Sequence, residues 1–182
     1  MGFKINALSK IIKTITENGG SLDNFKEALQ GFKCSKNSDE ENFFHNEVIN
    51  YEIHNKARTY LLVDDEDFIV GYFSLAFKSI DLANVSKTTK RKIVGGQSNT
   101  DTYSAFLIGH IAKDDSIKEL LGDAIIEAAE NLLVEAQKIV GGRLIYLDCK
   151  DEPKLKELYE RNGYKYFKTS ELSGLLQYYK KI

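Results

Sequence analysis

The sequence of 182 residues contains one proline, two cysteines and no run near the ~20 apolar residues that a membrane span requires. Cys34 and Cys149 stand far apart with no partner at metal-ligand spacing, so two reduced thiols in a cytoplasm are expected. The opening MGFKINALSKIIKTI has no continuous apolar stretch and no small-residue cleavage site, so it does not read as a secretory signal. With Pro153 alone and no low-complexity stretch there is no linker, and a single domain over 1–182 is expected, with 1–20 as a helical extension. Neither G-x-G-x-x-G nor G-x-x-x-x-G-K-[ST] occurs, which excludes the usual dinucleotide and P-loop modes of phosphate binding. Net charge is −2 and the isoelectric point is about 6.0. That balance disfavours a general affinity for nucleic acid and leaves one basic run, KTTKRK (87–92), to meet phosphates or to form a solvated loop.

What is present is an ordinary globular composition, 42% hydrophobic and 29% charged. Apolar residues at helical spacing predict a helix over 5–18, ended by Gly19 and Gly20. A second helix is expected from Ser21. Ser38 and Glu41 read as a capping box opening a third, with Phe44, Val48 and Tyr51 on one face. Strands are expected over 59–63 and 68–77, joined by an acidic hairpin at 64–67. Residues 86–102 read as an exposed loop holding a short helix or strand. A buried strand follows over 103–112, and then the strongest helix, 119–139. Its inner stripe is expected at Leu121, Ile125, Ala128, Leu132, Ala136 and Ile139. A strand at 143–149, a helix at 153–163 with Pro153 at its first turn, and strands at 164–169 and 175–182 complete the chain. The strand–helix–strand–helix–strand centre implies an α/β arrangement in which 103–112 and 143–149 are parallel neighbours.

Gly122 stands out because glycine costs about 1 kcal/mol against alanine inside a helix. Near a helix start just past a strand, a small residue lets an anion reach the free N–H groups and the positive end of the dipole. The alternative is a frayed first turn.

The C-terminal run LYERNGY (158–164) resembles the signature of the GNAT superfamily of N-acetyltransferases. ELLGDA (119–124) resembles the family's acetyl-CoA loop, matching its glycine and alanine and placing Glu119 where glutamine or arginine usually stands. IGHIAK (108–113) and GYFSLAF (71–77) resemble two of its core strands. The resemblance implies one mixed α/β (α+β) domain, with a central sheet splayed around an acetyl-CoA cleft and helices on both faces. It implies transfer of an acetyl group from acetyl-CoA, the cosubstrate, to a primary amine whose identity stays open. Glu119, Leu120, Leu121, Gly122, Asp123 and Ala124 would hold the pyrophosphate. The backbones of Ile111 and Lys113 would hold pantetheine, and an N–H there would polarise the thioester carbonyl. Tyr159 would protonate the departing thiolate, or else be a core tyrosine. A carboxylate at Glu119 either points to solvent or weakens the loop, which leaves an acyl-CoA-binding or regulatory module without transferase activity as one alternative. FKC (32–34), followed by the capped helix, resembles a toxin-like subgroup whose members acetylate aminoacyl-tRNA, and tRNA is the one nucleic-acid partner the sequence allows. Membrane partners are not expected; a homodimer is among the states allowed. No general base is evident: His110 reads as a packed histidine, and His45 and His54 as surface residues.

Overall fold

The computed structural model describes residues 2–96, 100–118 and 121–182. Its strands form a mixed seven-stranded sheet in the order β1-β2-β3-β4-β5-β7-β6. Packing divides the chain into two compact units, Met1–Leu75 with His110–Ile125, and Ala76–Gly109 with Ile126–Ile182.

The first unit opens on a strand, β1 (Lys4–Ala7), followed by α1 (Leu8–Glu17). The predicted helix over 5–18 is therefore shorter than expected. Lys4 to Ala7 pair antiparallel with β2 (Arg58–Val63), from Lys4 opposite Val63 to Ala7 opposite Tyr60. Ile5 was read as part of a helical stripe; it lies on this edge strand and is 42% exposed. α2 (Leu22–Leu29) is capped by Ser21, whose hydroxyl accepts from the Asp23 N–H. A longer helical stretch then runs through α3 (Ser38–Asn42), a π-helical turn (Phe43–Glu47) and α4 (Val48–Ile53). The expected capping box does not form. Asn37 takes the N-cap position without a side-chain capping bond, and Glu41 instead accepts from the Cys34 N–H at 2.6 Å. The core of this unit gathers Leu8, Leu29, Phe32, Phe44, Val48 and Tyr72.

β2 pairs antiparallel with β3 (Ile69–Asp81), and the acidic hairpin between them turns on Asp64, whose carboxylate accepts from the N–H groups of Glu66 and Phe68. Gly71 on β3 has a packing reason to be glycine. A Cβ there would stand 2.9 Å from the carbonyl oxygen of Ala112 on β4 (Thr102–Lys113) and 3.3 Å from Ile125 Cδ1. A backbone oxygen cannot move aside cheaply, so Gly71→Ala should cost about 1–3 kcal/mol, the usual range for overpacking. Urea denaturation would read this as a lower midpoint at unchanged slope.

In the second unit, residues 87–94 form α5 (Lys87–Val94), N-capped by Ser86, with Ile93 and Val94 buried. The short helix expected within 86–102 is thus α5, and it carries the basic run. β4 pairs parallel with β5 (Leu144–Cys149) through Phe106 opposite Ile145 and Leu107 opposite Tyr146, as the α/β reading expected. A parallel pair needs a crossover, and α6 (Gly122–Val140) supplies it. Leu121, Ile125 and Ala128 of the expected stripe are buried, joined by Ile126, Ala129 and Leu133. Leu132 and Ala136 are half-buried, and Ile139 is 84% exposed. α7 (Pro153–Arg161) starts on its proline, and Gly163 follows it at φ +85°. β7 (Leu176–Lys181) inserts between β5 and β6 (Lys165–Thr169), antiparallel to both. Ile80, Leu82, Ile93, Leu144 and Tyr146 are in its core. Among the described residues no helix is long and apolar enough to cross a membrane.

Candidate active site

The end of β4 determines which backbone groups a ligand can reach. The Asp114 N–H donates to the Val70 carbonyl at 2.9 Å, and the Ala112 carbonyl lies against Gly71. Backbone groups of alternate residues point to opposite edges of a strand. Ala112 and Asp114 therefore face β3, and Ile111 and Lys113 turn their N–H and C=O groups to the other edge. The Lys113 ammonium is occupied nearby, donating to the Ile117 carbonyl.

The loop after β4 is fixed before it reaches α6. Asp114 is buried and accepts from the Lys33 N–H at 2.7 Å through one oxygen. Its other oxygen accepts from the Ser116 N–H and hydroxyl. Asp115 accepts from the N–H and hydroxyl of Ser35, and these bonds hold its carboxyl below the ordinary range. Two aspartates thus tie 114–116 to 33–35. Leu121 is buried, and Gly122, Asp123 and Ala124 are half-buried in the first turn. The Ile125 N–H bonds the Leu121 carbonyl at 2.9 Å. The amides before it belong to the helix start, where no intrahelical acceptor exists. Glu119 and Leu120 lie outside the described residues.

His110 is the residue whose surroundings the sequence did not disclose. Its Nδ1 lies 2.9 Å from Glu40 Oε2, and its ring stacks on Phe43 at 3.6 Å and 7°. The same Glu40 oxygen accepts from the Tyr72 hydroxyl at 2.9 Å. Burial, with the Glu40 carboxylate beside it, pushes the Tyr72 phenol up, so it stays a donor. The π-helical turn brings this about locally. Its extra residue lets consecutive Phe43 and Phe44 both face inward, one onto His110 and the other onto Tyr72 at 4.5 Å. His45, expected on the surface, is half-buried, with Nε2 2.8 Å from the Phe32 carbonyl. His54 is exposed as expected.

In the second unit Tyr159 is buried on α7, 7% exposed, with ring centroids 5.9 Å from Tyr164 and 6.1 Å from Tyr178. Burial, followed by Glu160, pushes Tyr178 up to about 12. Burial and the charge of Glu130 raise Tyr164 further, so both stay phenols at neutral pH. A separate groove of about 580 Å³ is lined by Thr89, Lys92, Lys165, Tyr166, Lys180 and Lys181 among others, with no acid in its wall. Among the described residues no group of acids, histidines and cysteines is arranged to hold a metal ion. Both cysteines are free thiols, and burial pushes each thiol up, Cys149 to about 11.

No family model matches the sequence, and no curated protein does. Solved structures do match. A tyrosine-to-phenylalanine mutant of KacT superposes with a TM-score of 0.72 at 20% identity, over 100% of this chain and 95% of that one. AtaTR bound with acetyl-CoA gives 0.67 at 17% identity, over 98% and 92%. AtaT complexed with acetyl-methionyl-tRNAfMet gives 0.65 at 20% identity, over 82% and 85%. The fold is therefore the one seen in KacT and in the AtaT toxin.

Proposed function

We propose that this chain transfers the acetyl group of acetyl-CoA to the α-amino group of an aminoacyl-tRNA. The observation that carries the transferase part is the edge of β4. Ile111 and Lys113 turn their backbone groups away from β3, next to a loop fixed by Asp114 and Asp115 that leads into the start of α6. Pantetheine needs such an edge to bond as an added strand. The pyrophosphate needs the helix start, where 119–124 hold it and Gly122 permits close approach. The Ile111 N–H polarises the thioester carbonyl as its oxygen gains charge. The amine attacks, the C–S bond breaks, and Tyr159 gives its proton to the thiolate. Structures of both KacT and AtaT are of tyrosine-to-phenylalanine mutants, in keeping with a tyrosine in this role.

The tRNA part rests on the AtaT complex and on the groove of Lys92, Lys165 and Lys181, which gathers positive charge on a chain of net charge −2, while Lys180 beside them is paired with Glu130. Incubation with labelled acetyl-CoA and, in parallel, charged tRNA, free amino acids and lysine peptides tests it. Label is expected on charged tRNA. Label confined to free amines or peptides keeps the transferase and removes tRNA as its substrate. Glu119 in the pyrophosphate loop favours a second reading, a CoA-binding module without transfer; it predicts CoA binding and no label on any acceptor.

A further inference from the structure

We infer that His110 is the general base of this transfer and that Glu40 is its positioning residue. The inference rests on the acetyltransferase reading for its chemistry and on geometry for its assignment. A carboxylate only accepts, so a neutral His110 at 2.9 Å from Glu40 Oε2 carries its proton on Nδ1 and presents a bare lone pair at Nε2. Nε2 has no hydrogen-bond partner among the described residues, and the side chain is 30% exposed. Phe43 covers the face of the ring and fixes its plane. Tyr72 holds Glu40 in turn, its hydroxyl lying within hydrogen-bonding distance of both the Glu40 carboxylate and the Glu40 backbone carbonyl. A base oriented by an acid that is itself held by a third group is the usual build of a proton-abstracting site.

Its place on the strand fits the reaction. His110 directly precedes Ile111, whose N–H serves the thioester carbonyl, so base and electrophile sit one residue apart on β4. The α-amino group titrates near 7.7–8.0. As the amine nitrogen bonds to the acetyl carbon it becomes cationic, and Nε2 takes that proton. The C–S bond then breaks, and the sulfur leaves with its electron pair to be protonated by Tyr159. The products are the N-acetyl amide and CoA thiol; the proton on His110 passes to solvent, and Tyr159 regains one from solvent. Within this unit the titratable groups facing the ring are Glu40 from α3 and, through Glu40, Tyr72 from β3.

Two measurements decide it. Nitrogen-15 NMR of the labelled chain, with His110 assigned from His110→Gln, should show neutral His110 protonated at Nδ1 and bare at Nε2, a preference lost in Glu40→Ala. Protonation at Nε2 overturns the assignment whether or not an acceptor is known. With an acceptor in hand, His110→Ala should lower kcat about 10²–10⁴-fold at unchanged KM for acetyl-CoA. Added imidazole should restore part of it, and the acid limb of the kcat–pH profile should vanish. Unchanged kcat, or a loss with no imidazole rescue and the limb intact, means His110 only packs. Absence of transfer by the native chain to every acceptor is a failure of the acetyltransferase reading, while the tautomer still decides the dyad.

Discussion

Tyr159→Phe should leave acetyl-CoA affinity nearly intact and lower turnover by about 10²–10⁴-fold, the range for loss of a positioned proton donor. Only the hydroxyl is removed. The ring contacts with Tyr164 and Tyr178 that seat α7 remain, so the fold should hold. The leaving thiolate, unlike the thioester, needs a proton, and the effect should therefore appear in kcat and spare the binding of acetyl-CoA. Steady-state rates beside a calorimetric binding isotherm read the two quantities separately. If kcat is unchanged, Tyr159 is a packing residue and the acid lies elsewhere. Equal loss of binding and rate would point to a misplaced α7.

The second large effect is on stability. Acetyl-CoA at about 100 times its dissociation constant adds roughly 2.7 kcal/mol to the folded state. For a chain of this length that raises the melting temperature by about 5–10 °C. CoA alone should give most of the shift, because the pyrophosphate and pantetheine supply the contacts. Gly122→Val should abolish it by setting a branched side chain where the phosphates approach the helix start. Glu119→Gln should enlarge it, since a carboxylate near a pyrophosphate repels it. A native chain that does not shift with either ligand has no working pyrophosphate site at 119–124.

Much of this architecture is local in origin and could be read along the chain. The parallel pairing of β4 and β5 follows from two apolar strands separated by a long amphipathic helix. Pro153 and Gly163 bracket α7 because one lacks an N–H and the other tolerates a positive φ. LYERNGY is contiguous, so the run that carries the resemblance survives without any tertiary information. Errors arose where a residue had two uses and a distant partner chose between them. Ile5 fits a helical stripe, but β2 offers it a strand partner. Glu41 could cap its own helix, but the Cys34 N–H takes its carboxylate. Ile139 extends the periodicity of α6 to a position where its environment is solvent.

The sequence by itself determined the alternation of strands and helices, the class of the fold, and the candidate roles of Tyr159 and Gly122. Those depend on periodicity, caps and contiguous motifs, whose physics acts over a few residues. Only the tertiary structure decided what His110 meets. Glu40 lies seventy residues away, and a π-helical turn and the pairing of β3 with β4 bring the two within hydrogen-bonding distance. The same holds for the lysines of α5, β6 and β7 that line one groove. A charge–charge or proton-transfer contact requires proximity in space, and chain folding alone sets that proximity.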